Sequence, residues 1–263
     1  MSEHKTTALV TGAGAGIGAA IAARLAGDGM NLVLVARDQE RLNDTARQIR
    51  ASYGVDVRTV PMDLSLPGAP GDLAGRLGEA GVTIDVLVNN AGIALPGPVA
   101  GTDPGRIRTL VDLNAGAVAE ITALFLPGML ARRSGAIVNI ASTAAYSPAP
   151  NNAAYAASKA FVLSFTQALW AETRGSGVRV VAVSPGATET PMNPGHFRGK
   201  RRPEQVADTV MAALAGRSAA VVDGWLYTIQ TFLFQRVLPT RTTSRITGAY
   251  FAKAAERSRL RGT

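Results

Sequence analysis

The stretch TALVTGAGAGIG, residues 7–18, places an apolar run of strand length directly before a glycine-rich turn. The run lacks strict alternation, so it predicts a strand buried on both faces. Gly12 allows a tight turn, Gly16 permits close approach to the backbone, and Gly18 lets the next helix pack on the strand. A helix that begins near Gly16 directs its amide donors and the positive end of its dipole beyond the turn. The stretch therefore predicts the opening βα unit of an α/β sheet.

Six more apolar runs of strand length follow, separated by longer amphipathic segments. This alternation is typical of repeated βαβ units and a parallel sheet. The sequence predicts an α/β fold: one Rossmann-type domain, residues 1–225, with a doubly wound, seven-stranded parallel sheet. In that context the glycine-rich turn favours a nucleotide site over a plain βα turn. The six runs are NLVLVAR (31–37), VDVRTVPMD (55–63), IDVLVNNAG (84–92), AIVNIAS (136–142), VRVVAVSPG (178–186) and SAAVVDG (218–224).

Composition excludes several kinds of site. Because the 263-residue chain has no cysteine, disulfides, thiolate metal sites and a cysteine nucleophile are excluded. With only His4 and His196 and no tight carboxylate cluster, no metal site is predicted. The start of the chain shows no pattern of a secretory signal. The apolar run GWLYTIQTFLFQ (224–235) is too short to span a bilayer, so a cytoplasmic protein is predicted.

The net charge of +8 is unevenly distributed. Residues 1–197 hold 15 basic and 15 acidic residues, whereas residues 198–263 hold 12 basic and 4 acidic residues. The excess therefore lies entirely in the C-terminal quarter, and no aromatic-rich or zinc-type nucleic-acid module accompanies it. A nucleic-acid partner is not predicted.

In a doubly wound sheet, ligands bind beyond the carboxyl ends of the strands. The second strand ends in Arg37, where many NAD-binding domains carry an acid that binds the ribose 2′-hydroxyl. An arginine accommodates a 2′-phosphate instead, so NADP(H) is favoured over NAD(H). A surface arginine that opens the next helix is the alternative. The glycine loop itself offers no second basic residue, since Ala13 and Ala15 are uncharged.

Two further strand ends carry polar residues. Asp63 after the third strand is a candidate acceptor for an adenine amino group, although an Asx turn or helix cap explains it nearly as well. After the fourth strand, Asn89 and Asn90 are candidates to tie neighbouring strand ends together, and Gly92 gives a cofactor room. A turn-forming asparagine pair is the alternative.

A catalytic set is predicted at the same edge. Tyr155 precedes Lys159 by one helical turn, so both side chains lie on one face. Ser142 closes the fifth strand, and Asn114 lies in the helix between strands four and five. A tyrosine and a lysine at this spacing are common on ordinary helices, but their convergence with the glycine loop favours a site.

Together these motifs resemble the short-chain dehydrogenase/reductase family over residues 5 to about 225. The chain carries the TGxxxGxG of the family from Thr11 to Gly18, its NNAG from Asn89 to Gly92, and its YxxxK as Tyr155 and Lys159. The resemblance implies that Asn114, Ser142, Tyr155 and Lys159 are catalytic. It implies that the cofactor contacts are Gly12, Gly14, Ala15, Gly16, Ile17, Gly18, Arg37, Asp63, Leu64, Asn90, Ala91, Gly92, Tyr155, Lys159, Pro185, Gly186, Thr188 and Thr190.

The resemblance also implies an activity. Hydride transfer between NADPH and a carbonyl or secondary alcohol of a fairly apolar small molecule is expected, with Tyr155 as acid and Lys159 lowering its pKa. Ser142 would hold the substrate oxygen, and Asn114 would position a water in a proton relay. A 3-oxoacyl or polyketide-type reductase, a hydroxysteroid-type dehydrogenase and a catalytically silent NADP-binding regulator are the alternatives. Family members are usually homotetramers or homodimers.

Two segments near the end complete the prediction. A substrate lid is expected at about residues 187–203, with Met192, His196 and Phe197 as candidate contacts, although a plain surface loop explains them equally well. Residues 226–263 form a basic extension with one or two amphipathic helices. A subunit contact or a cover over the substrate pocket is the favoured interpretation. Contact with an anionic membrane surface is less favoured, and a solubilising end that is partly disordered after residue 254 is the third.

Overall fold

The computed structural model describes residues 5–193 and 199–259, with side chains to residue 252. His4, His196 and Phe197 lie outside these residues. Seven parallel strands form one sheet in the order β3-β2-β1-β4-β5-β6-β7, which confirms the predicted doubly wound fold. The strands are β1 (Thr7–Thr11), β2 (Asn31–Ala36), β3 (Val57–Pro61), β4 (Val86–Asn89), β5 (Gly135–Ile140), β6 (Val178–Ser184) and β7 (Ala220–Val222).

Helices cover both faces of the sheet. They are α1 (Gly16–Gly27), α2 (Gln39–Tyr53), α3 (Ala69–Glu79), α4 (Pro104–Val111), α5 (Ala117–Arg132), α6 (Ala153–Glu172), α7 (Pro203–Ala215), α8 (Trp225–Arg236) and α9 (Thr240–Arg259). A π-helical segment, Asp112–Gly116, joins α4 to α5, and a short 3₁₀ helix, Thr143–Tyr146, follows β5.

Successive residues of the strands enter different cores, as the unbroken apolar runs predict. On β1, Val10 packs with side chains of α1, α2 and α7, whereas Leu9 packs with side chains of α3 and α5. Both residues are fully buried. Each such side chain contributes about 1.5–3 kcal/mol by leaving water, so the central strands hold the sheet edge rigidly.

One stretch among the described residues, 104–132, is long and apolar enough to cross a bilayer by length and composition alone. In the fold this stretch is α4, the π-helical segment and α5. Its inward side packs against α3 and β5, and Ile121 and Met129 are buried there. The core of the domain therefore accounts for its apolar character.

The predicted helices of the extension are present as α8 and α9. Helix α8 packs against the 3₁₀ helix Thr143–Tyr146 and against β7. Helix α9 is tied to the loop before α6, because the Thr247 hydroxyl donates to the Pro148 carbonyl at 2.7 Å. Helix α9 continues to Arg259, the last described residue.

Candidate active site

The glycine turn after β1 has the close contacts that its sequence predicts. Gly12 has a positive φ of 68°. A Cβ atom on Gly18 would lie 2.3 Å from the Gly12 carbonyl oxygen, far inside van der Waals contact. The side-chain nitrogen of Asn90, Nδ2, donates to the Thr11 carbonyl at 2.9 Å. This nitrogen would also lie 2.5 Å from a Cβ atom on Gly18. The turn is therefore built from backbone in close contact, and a side chain at position 18 has no room.

Helix α1 begins where the turn ends. Its N-cap is Ala15, and no side chain among the described residues caps this helix end. The first amide groups of an α-helix have no partner within the helix, so they remain available for an anion. The residues present thus fit the pyrophosphate of a dinucleotide.

Two arginines line the cleft beside this turn, and the sequence pattern indicated only the first. Arg37 lies at the end of β2, and Arg41 lies in the first turn of α2 and lines the same cleft. Asp38 lies between them, but its carboxylate accepts the Arg41 amide at 3.1 Å as the N-cap of α2 and pairs with the Arg41 guanidinium. The carboxylate is thereby occupied, and both guanidinium groups line the cleft although the glycine loop itself has no basic residue.

Asp63 adopts the turn that was offered as its alternative role. Its Oδ1 accepts hydrogen bonds from the Ser65 amide at 3.0 Å and the Ser65 hydroxyl at 2.6 Å, which forms an Asx turn. Its Oδ2 lies 3.6 Å from the Arg37 guanidinium. Burial raises the pKa of Asp63, but the Ser65 hydrogen bonds and the Arg37 charge outweigh it and hold the pKa below its ordinary value. Asp63 therefore remains ionised and lines the cleft beside Arg37.

The structure brings Ser142, Tyr155 and Lys159 together. Ser142 follows β5, and its side chain lies beside the Tyr155 hydroxyl in the same cleft. Lys159 lies one turn after Tyr155 on α6, with its Nζ 5.9 Å from the centroid of the tyrosine ring. The ammonium group donates to the Ile140 carbonyl at 2.8 Å. The end of β5 thus positions both the serine and the lysine around the phenol.

Burial dominates the pKa values of this group. It raises the pKa of Tyr155 above its ordinary value, and the nearby Ser142 hydroxyl offsets part of that increase. Burial also lowers the pKa of Lys159 to about 8. In the protein alone, the pKa of Tyr155 is therefore raised and not lowered as the sequence led us to expect, because burial of the phenol disfavours its charged form.

Asn114 is fully buried in the π-helical segment, and neighbouring groups occupy its side chain. Its Oδ1 accepts the Ile93 amide at 2.9 Å, and its Nδ2 donates to the Ile93 carbonyl at 2.9 Å and to Ser158 Oγ at 3.1 Å. The side chain thus fixes the loop after β4 against α6. The amide nitrogen thereby uses both of its donors, whereas the amide oxygen keeps one acceptor position, so the role of Asn114 in ordering a water stays a prediction.

The two asparagines after β4 tie strands together as predicted. Asn89 donates to Asn139 Oδ1 on β5 at 2.9 Å and to Thr122 on α5 at 3.1 Å. Asn90 bonds the end of β1, as described above. The strand order reverses at this point, between β1 and β4, which is where doubly wound sheets bind their ligands.

A single cleft of about 510 Å³ unites these groups, a volume typical of small-molecule sites. Every residue proposed above as a cofactor contact lines it, as do Ser142 and Met192. Asn114 lies behind its wall. The other lining residues are Val35, Ala36, Asp38, Arg41, Met62, Ile93, Leu113, Ile140, Ala141, Pro191 and Asn193.

The far wall of the cleft rests on the C-terminal part of the chain. The ring of Tyr227 on α8 packs so closely on Gly186 that a Cβ atom there would lie 2.3 Å from the ring. Its hydroxyl donates to the Gly199 carbonyl at 3.2 Å. Arg201 exchanges backbone hydrogen bonds with the segment 187–189 and forms two bonds, at 2.9 and 2.7 Å, to the fully buried Asp223. Sequence reasoning missed Tyr227 and Arg201, because neither belongs to a motif.

Comparison with known proteins identifies the family. The model of the short chain dehydrogenases matches residues 6–201, so the chain belongs to the short-chain dehydrogenase family of oxidoreductases, as its motifs predicted. A very-long-chain 3-oxoacyl-CoA reductase of Mus musculus is 38% identical over 183 residues, which are 68% of this chain and 58% of the mouse protein.

Solved structures of dehydrogenases have the same fold as this chain. A 7β-hydroxysteroid dehydrogenase superposes with a TM-score of 0.86 at 26% identity, over 92% of this chain and 96% of that one. A short-chain dehydrogenase from Sphingobium yanoikuyae, solved in complex with NADPH, superposes with a TM-score of 0.78 at 32% identity. That match covers 89% of this chain and 96% of the other.

Proposed function

We propose that this protein is an NADPH-dependent reductase of ketones, or the reverse secondary-alcohol dehydrogenase, acting on a fairly apolar small molecule. The observation that carries the proposal is the arrangement of Ser142, Tyr155 and Lys159 in the same cleft as the glycine turn. A regulator that only bound the dinucleotide would not need a serine, a tyrosine and a lysine brought together in that cleft.

The charge around Arg37 supports NADPH as the cofactor. Arg37 and Arg41 offer two guanidinium groups for a 2′-phosphate, and Asp38 is engaged by the N-terminus of α2 and by Arg41. Arginine pairs with phosphate through two parallel hydrogen bonds, which makes it the side chain suited to this task. The NADPH found in the Sphingobium yanoikuyae relative agrees with this assignment.

The side chains of this chain supply the proton chemistry. When bound, NADPH supplies the hydride that adds to the carbonyl carbon. Ser142 donates a hydrogen bond to the carbonyl oxygen, which orients the substrate and stabilises the charge that develops there. Tyr155 gives its phenolic proton to that oxygen. The Lys159 ammonium stabilises the phenolate that remains, since an opposite charge favours the ionised form.

An apolar substrate is supported by the relatives and by the cleft. Two of the proteins to which the chain is similar are described as a very-long-chain 3-oxoacyl-CoA reductase and a 7β-hydroxysteroid dehydrogenase. Apolar side chains, among them Ile93 and Met192, line the same cleft as Tyr155 and Ser142. We therefore infer a ketone on an extended carbon skeleton, of either an acyl or a polycyclic type.

We also infer that two or four copies associate through the helices after strands four and five. Large apolar side chains are exposed there, namely Val111 on α4, Leu124 and Leu130 on α5, and Phe161 on α6. Burial of such side chains between copies is a common origin of homo-oligomers. Light scattering on the purified chain measures the mass of the assembly directly.

A carbonyl panel tests the proposed reaction. The panel should contain simple ketones, 3-oxoacyl thioesters and ketosteroids, with NADPH oxidation followed by absorbance. We expect turnover on at least one apolar class. Tight NADPH binding without turnover on any class would favour the silent regulator.

The substitution Arg37→Ser tests the cofactor assignment. Loss of a charge-assisted hydrogen bond costs about 1.5–3 kcal/mol, so the affinity for NADPH should fall about 10- to 100-fold. The affinity for NADH should change little, because NADH has no 2′-phosphate. Arg58→Ser is the matched control, since Arg58 is also an exposed arginine but lies on β3. Equal loss of both cofactors would contradict the assignment.

A further inference from the structure

Helix α8 has an apolar face that the domain does not cover. Trp225, Ile229 and Phe232 are 71%, 51% and 61% exposed, and Leu226 and Leu233 flank them. The spacing i, i+4 and i+7 places Trp225, Ile229 and Phe232 on one side of the helix. We name these five residues the α8 stripe.

The opposite side of α8 is the one that faces the protein. Thr231 is buried and Tyr227 and Phe234 are partly buried, and Tyr227 packs on Gly186 as described above. A surface helix is normally polar on its outer side. Helix α8 is apolar on both sides, so its outer side is suited to an apolar environment outside the domain.

The charge of the extension indicates which environment that is. Residues 225–263 hold seven basic residues and one acidic residue, a net charge of +6 out of the +8 of the whole chain. No acidic residue occurs from residue 224 to residue 255. Arg236 continues the α8 stripe at i+11 from Trp225, and Arg241 and Arg245 follow on α9, all three exposed. Within the extension, the charged residues nearest to the α8 stripe along the chain are therefore all basic.

We propose that the α8 stripe docks on the surface of an anionic lipid bilayer. A tryptophan, aliphatic side chains and a phenylalanine would enter the boundary between headgroups and acyl chains, while the arginines contact the lipid phosphates. Arg236 can reach the headgroups from within the stripe, because its long stem is itself apolar.

A second copy of this chain fits the α8 stripe less well. Stripe-to-stripe pairing would bring together two segments of charge +6, which repel each other. Exposed apolar side chains on α4, α5 and α6 already offer a separate face for self-association. The core contacts of α8 and α9 hold the stripe in a fixed orientation, so it can meet a flat surface without prior folding.

Vesicle cosedimentation of the full chain tests the proposal. We expect binding to phosphatidylcholine vesicles that contain phosphatidylglycerol, and much weaker binding to pure phosphatidylcholine. The triple variant Trp225→Ser, Ile229→Ser, Phe232→Ser should lose binding to both. The matched control is Tyr53→Ser, Leu66→Ser, Val99→Ser, which removes three exposed apolar side chains elsewhere and should bind like the wild type.

The charge contribution has its own variants. Arg236→Gln, Arg241→Gln, Arg245→Gln combined should weaken binding to anionic vesicles about 100-fold, since each arginine at a charged surface contributes about fivefold. Arg47→Gln, Arg58→Gln, Arg106→Gln removes the same charge from other exposed sites and should have a small effect.

A measurement on the unmodified chain guards against misfolded variants. Trp225 should shift its fluorescence to shorter wavelength and become quenched by brominated lipids when anionic vesicles are added. Absence of both binding and quenching would overturn the proposal. Unchanged vesicle binding by the triple variant of the α8 stripe would also overturn the proposal. The same holds if that variant forms smaller oligomers but still binds vesicles.

Discussion

The glycine turn after β1 and helix α8 meet the same cleft, but they are built in opposite ways. At Gly18 an added Cβ would lie 2.3 Å from the Gly12 carbonyl oxygen, and at Gly186 it would lie 2.3 Å from the Tyr227 ring. Backbone in a buried turn cannot yield, whereas a half-buried ring at the start of a peripheral helix can. The comparison shows that the nucleotide side of the site is fixed by main-chain geometry, and the C-terminal side by side-chain docking.

The junction between the two regions gives the largest expected effect on stability. Asp223 is fully buried and Arg201 is its partner, so Arg201→Met would leave a buried carboxylate without its cation. We expect a loss of about 3–5 kcal/mol in the free energy of unfolding, measured by urea denaturation. The control is Arg24→Met, which breaks the ion pair between Arg24 and Asp208. Both of these side chains are more than half exposed, so the loss in the free energy of unfolding should be less than about 1 kcal/mol. Equal losses would show that burial is not what distinguishes the two pairs.

Gly18→Ala tests the rigid side of the comparison. Because the new methyl group meets backbone, we expect about 3 kcal/mol of overpacking and a fall of about 100-fold in the affinity for NADPH, measured by titration. The control is Gly27→Ala in the same helix, where the nearest neighbour of a Cβ is the Tyr53 ring at 3.5 Å. That control should be neutral or slightly stabilising. Normal NADPH binding by Gly18→Ala would contradict the close-packed turn.

Gly186→Ala tests the yielding side and should have the smallest effect. Displacement of the Tyr227 ring should cost about 1–2 kcal/mol of stability and weaken the docking of α8. The double variant Gly186→Ala, Tyr227→Ala removes the overlap. It should therefore be no less stable than Tyr227→Ala alone, as a double-mutant cycle would measure. Additive losses in that cycle would argue against direct contact between position 186 and the Tyr227 ring.

The sequence predicts the nucleotide side of the site far better than the C-terminal side. The turn from Thr11 to Gly18 is predictable because its glycines serve local backbone geometry. Arg41 was missed because its position depends on the capping of α2 by Asp38. Tyr227 was missed because its contact with Gly186 arises only when α8 folds back onto the end of β6. Local sequence patterns thus predict the backbone turn that binds the nucleotide. The residues on the C-terminal side of the cleft depend on tertiary packing, which these patterns do not predict.

The C-terminal extension is a second region where the sequence predicts a helix but not its packing. Its apolar positions Leu226, Ile229, Leu233 and Val237 predict a helix, and α8 is present. Periodicity does not tell which apolar face turns inward, because α8 is apolar on both sides. In the structure all four of these side chains are exposed.

The catalytic claim depends on one phenol, and Tyr155→Phe tests it most directly. NADPH binding should be unchanged, while kcat with an accepted ketone should fall by about 10²- to 10⁴-fold because the proton donor is lost. Tyr146→Phe is the control, since this second tyrosine lies in the 3₁₀ helix after Ser142 and bonds to Ser184 at 3.3 Å. It should keep kcat within a few-fold of the wild type. Wild-type turnover by Tyr155→Phe would contradict the proposed mechanism.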